Sequence, residues 1–405
     1  MQEELEATID LTSAAFVANP YATYDHLRSS SPVWFSTQLG MWLATDYTSV
    51  ERILVDARRF GKVEPGTPSP TDTERERSAS LLDLDAPDHT RLRALVAPAF
   101  APAALAEWAT TITGLVEELL ESLSERSEQT DAPIDLVTDY ALPLAIRVIS
   151  RILGLERDDE GRLLDLTHRY VRGLDVTQPA SVRADGEQAH AGLIEYFYGQ
   201  IELVRADPGR AQGSLMRELI EAREGDALLS SAELVSLCTL LLFGGYETTF
   251  SMIASGVRLI LERSELAQAV RKGEVHLRRL TAEILRYESP VQRLGYYVLE
   301  DCELGGSSLR RGDMILACVG AANRDPQIFS QPDVFDITRS SDKQHMALGK
   351  GMHYCVGGPL AVLEGTIAIP AFIAAFPSST LAEPEPAWAP TSSHRRPLRL
   401  LVTTR

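Results

Sequence analysis

The apolar positions that begin after Ser230 keep helical spacing to about Glu262. Ser230 and Glu233 stand at the capping-box spacing that starts a helix. At about 1.5 Å per residue this helix is roughly 45 Å long and crosses the whole molecule. Its most apolar run, Leu237 to Phe243, stops at Gly244 and Gly245 and soon meets Glu247, which makes it too short to span a bilayer. A second apolar run, Leu360 to Phe376, predicts another helix, with Pro359 suited to its first turn and Pro370 expected to kink it. Glu283 and Arg286 lie on one face of a helix that Pro290 ends. Pro87 opens a further helix that places His89 and Arg93 on one face. The proline-rich stretch Glu64 to Pro70, followed by charge-dense Asp72 to Arg77, breaks the periodicity and reads as a surface connection.

The middle of the long helix contradicts its own propensity. Adjacent glycines in a helix cost about 1 kcal/mol each relative to alanine, and here they precede Glu247, Thr248 and Thr249. One reading is space opened for a ligand, with a threonine bonding a carbonyl one turn back. The other is a close helix crossing, with Glu247 on a solvent face.

Composition narrows the class. The chain has 405 residues, 44% hydrophobic and 24% charged, enough for a large core. Length alone suggests two or three domains. The formal charge of −18 and a pI near 4.9 oppose nonspecific binding to nucleic acid or to an anionic membrane surface. The segment Met1 to Glu6 has neither the basic head nor the apolar core of a targeting peptide. A cytoplasmic protein with reduced thiols is expected.

The chemistry concentrates at Leu348-Gly349-Lys350-Gly351-Met352-His353-Tyr354-Cys355-Val356-Gly357. Glycines around a cysteine leave its sulfur open to something large. A thiolate forms where a metal, a helix N-terminus or donated N–H groups lower its pKa, and the helix predicted after Pro359 would aim its positive end at the sulfur. A lone cysteine is also commonly a small buried hydrophobe. Cys238, Cys302 and Cys318 stand in apolar segments without the paired spacing of a zinc site.

The ten-residue pattern resembles the signature of the haem-thiolate monooxygenases, the cytochromes P-450, Phe-Gly-x-Gly-x-His-x-Cys-x-Gly, with Leu348 in place of the aromatic. The resemblance runs nearly end to end, from Asn19-Pro20-Tyr21 through Ala322-Asn323-Arg324-Asp325-Pro326 to Arg395-Arg396-Pro397-Leu398. It implies one mainly α-helical domain over residues 1–405 with small β-sheets. Haem b (iron protoporphyrin IX) would lie between the long central helix and the cysteine-bearing loop and helix. Cys355 is then the axial iron ligand, with Leu348, Gly349, His353 and Gly357 around the cofactor and His89 and Arg93 on its propionates. Thr248 donates a hydrogen bond toward dioxygen and Glu247 relays protons. Glu283, Arg286 and Arg339 form a structural network that holds the cysteine loop. Relatives carry a propionate-binding arginine where this chain has Tyr296; Arg293 is one strand position out of phase and should face the other way, so either the clamp is weaker or Tyr296 donates a neutral hydrogen bond instead. Leu240, Phe243, Gly244 and Leu294 predict an apolar substrate pocket.

The resemblance also implies the reaction: one oxygen atom of O2 enters a small organic substrate, such as a bacterial polyketide or peptide metabolite. Electrons come from NAD(P)H through ferredoxin reductase and a ferredoxin that docks near Lys350, since the chain carries no reductase or flavin motif. A peroxide-driven or coupling haem-thiolate enzyme and a non-catalytic haem sensor are the competing expectations.

Overall fold

The computed structural model describes residues 9–67, 80–130, 132–207, 209–224, 227–339, 344–383 and 385–404. Most of the expected surface connection, and the acidic start Met1 to Glu6, lie outside them. Helices α1 (Asp88–Val96), α2 (Pro102–Gln129), α3 (Leu142–Leu153), α4 (Glu160–Gly173), α5 (Ala180–Ala206), α6 (Ser231–Leu261), α7 (Leu277–Tyr287) and α8 (Gly358–Ala375) make the bulk of the protein. Strands β1 (Val33–Ser36), β2 (Met41–Ala44), β3 (Phe60–Gly61), β4 (Leu294–Val298) and β5 (Met314–Ala317) form a sheet in the order β1-β2-β5-β4-β3. β2 and β5 run parallel, and the other pairs are antiparallel.

Helix α6 starts as its sequence dictates. The Ser230 hydroxyl accepts from Glu233 N–H, and the Glu233 carboxylate accepts from Ser230 N–H at 2.8 Å, so two orphan donors of the first turn are satisfied reciprocally. The expectation that this segment is too short for a bilayer is corrected: the whole helix is long and apolar enough to cross one by length and composition, because the glycines do not end it. Of its most apolar stretch, 72% is buried inside the protein. Helix α8 likewise continues through Pro370 to Ala375 without interruption.

Two cores flank the cysteine loop. A helical core includes Leu242, Phe250 and Ile253 of α6 with Ile369 and Phe372 of α8. A sheet-side core includes Tyr296, Val298 and Ile315. Met346 belongs to the sheet-side core, whereas Leu348 and Val356 pack on the helical one. The loop therefore bridges the two.

The charge pair on α7 anchors that bridge. An exposed pair at this spacing contributes only a few tenths of a kcal/mol, but here Arg286 grips Glu283 with two bonds of 2.7 and 2.8 Å, and both are buried. Arg339 Nε stands 3.5 Å from the same carboxylate. Arg286 also donates to Asn323 O at 3.0 Å, while the Asn323 side chain accepts from Met346 N–H at 2.6 Å. A continuous line of hydrogen bonds thus runs from α7 to the segment just before Leu348.

Candidate functional site: a cysteine loop facing the central helix

The cysteine loop is a tight backbone structure. Gly349 N–H donates to Met346 O at 2.9 Å, and Cys355 N–H donates to Leu348 O at 2.8 Å. Gly349 and Gly351 sit at φ +71° and +65°, which L side chains avoid, and a Cβ on Gly351 would lie 2.5 Å from Leu54 O. Gly357 caps α8, with Gly358 and Pro359 in the first turn. A Cβ on Gly358 would fall 3.2 Å from Leu348 Cδ1 and 3.7 Å from Cys355 Cβ, so the leucine packs beside the cysteine under the helix start.

Cys355 is exposed while Cys238 and Cys318 are buried. Desolvation by the surrounding protein raises its thiol pKa, opposed by the N–H groups of Gly357 and Gly358 and the charge of Arg93. An open sulfur set deep in protein lines an internal space. The electrostatic pull of the helix start is the one expected from the sequence.

Beside it runs a row of buried polar groups, in which His353 has an ionic neighbour, Asp85 Oδ1 at 3.7 Å from its Nε2. His89 and His353 lie with ring centroids 4.3 Å apart, and His353 and Tyr296 with centroids 6.3 Å apart. His89 Nδ1, His353 Nε2 and the Tyr296 hydroxyl have no hydrogen-bond partner, although His89 is only 1% and Tyr296 3% exposed. Leaving such groups unpaired costs about 1–3 kcal/mol each, so the row is built for an acceptor-rich ligand. Arg93, half-buried on α1, is near enough to lower the pKa of His89 below the ordinary value, after burial, the main cause. Arg293 is turned away, as expected, onto Ser392.

Across the molecule, α6 resolves the two readings of its glycine pair, one to each residue. A Cβ on Gly245 would be 2.8 Å from Ile149 Cδ1 of α3, so Gly245 permits a close crossing. Gly244 is exposed in mid-helix, with nothing within 4 Å of a Cβ, so it borders open space. Thr248, half-buried on the same face, donates to Gly244 O at 3.0 Å. Glu247 is not on a solvent face: it is 3% exposed, with Arg396 Nε at 3.2 Å and His168 Nε2 at 3.7 Å from its two oxygens. Burial raises its pKa, and Arg396 opposes that rise.

The surroundings of two expected regions are more polar and more paired than their sequence suggests. The cavity that holds Leu240 and Phe243 is not simply apolar: Ser80, Asp83, Tyr170 and His190 share its wall, because α4 and α5 turn polar and aromatic groups toward α6. Gly244 and Leu294 are not on that wall, and Leu294 packs on the sheet-side core. Lys350 is not a free docking charge, since its ammonium is paired with Glu51. The sequence reading also missed Arg396 and His168, which lie far from Glu247 along the chain, and Lys62, whose Nζ sits 3.5 Å over the Tyr296 ring centre.

An accessible thiol beneath a helix start, unpaired donors for carboxylates beside it and a glycine-threonine opening opposite fit an iron porphyrin dicarboxylate. The protein is a haem-dependent oxidoreductase. The cytochrome P-450 profile matches residues 30–278 and 275–400, and the chain belongs to the cytochrome P-450 family. It is 33% identical over 396 residues to a biotin biosynthesis cytochrome P-450 of Bacillus subtilis, covering 96% of this chain and 98% of the relative. Identity is 31% over 386 residues to the 6-deoxyerythronolide B hydroxylase of Saccharopolyspora erythraea, covering 92% of each chain. Among solved structures, P-450BioI in complex with an acyl carrier protein ligated to hexadec-9Z-enoic acid superimposes with a TM-score of 0.87 at 32% identity. That match covers 97% of this chain and 99% of the other.

Proposed function

We propose that the protein is a monooxygenase that inserts one oxygen atom of O2 into a small organic metabolite, with Cys355 as the axial ligand of haem. Thiolate-held haem supplies O2 activation and the electron density that favours O–O cleavage. The observation that carries the reading is the pairing of an exposed, helix-capped Cys355 with the opening at Gly244 and Thr248. Leu348, Gly349 and Gly357 shape the thiolate loop, and His89, Arg93, His353 and Tyr296 bind the propionates. Thr248 Oγ1, parked on Gly244 O, is free to rotate a hydrogen bond into the opening. Glu247 holds a proton on Oε2, the oxygen that Arg396 does not engage, and passes it forward as a positioned general acid. His168, half-buried beside that oxygen, connects it toward the surface.

The substrate is a secondary metabolite with polar groups on an apolar frame. The mixed wall of Asp83, His190, Tyr170, Leu240 and Phe243 supports this, as do relatives named as a 6-deoxyerythronolide B hydroxylase and for polyketide biosynthesis. Electrons arrive from NAD(P)H through a ferredoxin and its reductase. The test is the carbon monoxide spectrum of the reduced protein, which distinguishes sulfur from nitrogen ligation, compared with Cys355→Ala. Loss of the thiolate spectrum in the variant and reductant-dependent product from O2 in the wild type are expected. Retention of that spectrum without the sulfur refutes the assignment of Cys355, and turnover with peroxide but none with O2 and a reductase system refutes the O2 reaction.

A further inference from the structure

We infer that Lys62 is a haem-propionate ligand of this protein, supplying from β3 the positive charge that Tyr296 does not provide from β4. The inference rests on the haem-thiolate reading of the site. Gly61 pairs with Tyr297 across the β3–β4 ladder, which brings Lys62 next to Tyr296. The backbone there is fixed, because the N–H groups of Lys62 and Val63 both donate to the Asp85 carboxylate, at 2.9 and 3.0 Å. Only glycine at position 61 allows this approach, since a Cβ would lie 2.6 Å from Asp85 Oδ2.

From that anchor the lysine stem folds back over β4. Nζ donates to Gly295 O at 2.6 Å and lies 3.5 Å from the centre of the Tyr296 ring. Asp83 and Asp85 raise its pKa from nearby, yet among the described residues neither forms an ion pair with Nζ, so the charge has no committed counter-ion. Burial outweighs them and lowers the ammonium pKa to about 8. A carboxylate placed against it would offset that desolvation.

Lys62 completes a pattern. The contacts run His89 to His353, His353 to Tyr296 and Tyr296 to Lys62, with Arg93 by His89 at the far end. Two members of the row hold unpaired polar atoms, His89 Nδ1 and the hydroxyl of buried Tyr296, and among the described residues His353 Nε2 makes no hydrogen bond and has only the Asp85 carboxylate, 3.7 Å away. A ligand with one carboxylate needs one cation. A row with a fixed cation at each end and neutral donors between them suits a dianion, and haem carries two propionates.

The test compares haem loss from wild type, Lys62→Met and Lys62→Arg to an excess of apo-globin acceptor, each loaded with haem or with haem dimethyl ester, whose propionates carry no charge. The carbon monoxide spectrum of each protein is recorded beforehand, so a failure of thiolate ligation is recognised separately. Loss of a charge-assisted hydrogen bond predicts haem release about tenfold or more faster from Lys62→Met. Lys62→Arg should stay near the wild-type rate, and all three should release the ester alike. An unchanged release rate in Lys62→Met overturns the inference, as does an equal acceleration with haem and with ester. If Lys62→Met takes up no haem, normal retention by Lys62→Arg supports the charge role and equal failure of Lys62→Arg overturns it.

Discussion

Replacing Arg396 by methionine isolates the electrostatics of the buried acid on α6. Arg396 Nε stands 3.2 Å from a Glu247 oxygen, with the side chains 9% and 3% exposed. At that separation and an effective dielectric of about 20, their attraction is about 5 kcal/mol. The pair therefore holds the Glu247 pKa below where burial alone would put it. Burial and the Arg396 charge lower the His168 pKa to about 4; the variant removes the second, smaller cause and burial still disfavours a charge there. Burial, which already raises Glu247, is then unopposed by charge. The sign follows: the neutral carboxyl persists to higher pH in Arg396→Met. The two proteins differ most between their two pKa values and agree below both. The infrared carbonyl band of the protonated acid, identified by its loss in Glu247→Gln, should titrate at higher pH in Arg396→Met than in wild type. The alkaline limb of reductant-dependent turnover should move with it. A carbonyl titration that coincides with wild type would refute the coupling.

Arg286→Met removes the two-bond grip on Glu283 and leaves the carbonyls of Asn323 and Pro332 short of a donor, while Val334 O keeps its bond from Arg339. Breaking a buried pair in this way costs about 3–5 kcal/mol, a large part of a total stability of about 5–15 kcal/mol; a urea midpoint and haem content equal to wild type would contradict it. Adding Glu283→Leu should recover only part of the loss, because the carbonyls stay unpaired. Gly351→Ala and Gly40→Ala test strain against clash, since both glycines have φ +65° but only Gly351 would press its Cβ on a backbone oxygen, 2.5 Å away. The left-handed backbone alone costs about 1–2 kcal/mol, so Gly351→Ala should lower Tm and haem retention clearly more than Gly40→Ala lowers Tm; equal effects would disprove the close approach.

The parts legible in the sequence are those whose determinants lie close together along the chain. The capping box of Ser230 and Glu233, the cysteine loop and the pairing of Glu283 with Arg286 each depend on neighbours within a turn or two, so spacing alone carries them. What stayed hidden depends on residues brought together only by folding. Glu247 and Arg396 are separated by most of the C-terminal half of the chain, and nothing in either segment marks the pair. The glycine pair of α6 shows the same limit at close range: its composition indicates that small residues are needed, but only the position of Ile149 shows that Gly245 serves packing and Gly244 the opening.

The substitution at Tyr296 joins the two kinds of information. The resemblance to the family's pattern implies a missing charge, and the β3–β4 register supplies a nearby one that no local pattern could identify. A strand pair places side chains on one face within about 5 Å of each other, so a charge lost from one strand can be carried by its neighbour without moving the ligand. Lys62 meets this geometric condition from an otherwise short strand whose pairing, together with the Asp85 contacts, fixes its register. The cysteine loop meets this wall at His353 but has a further anchor away from it, through Arg286, Asn323 and Met346. Changes at the propionate wall should therefore alter how tightly haem is held while leaving the thiolate geometry intact, which is why release rate and ligation spectrum must be read separately.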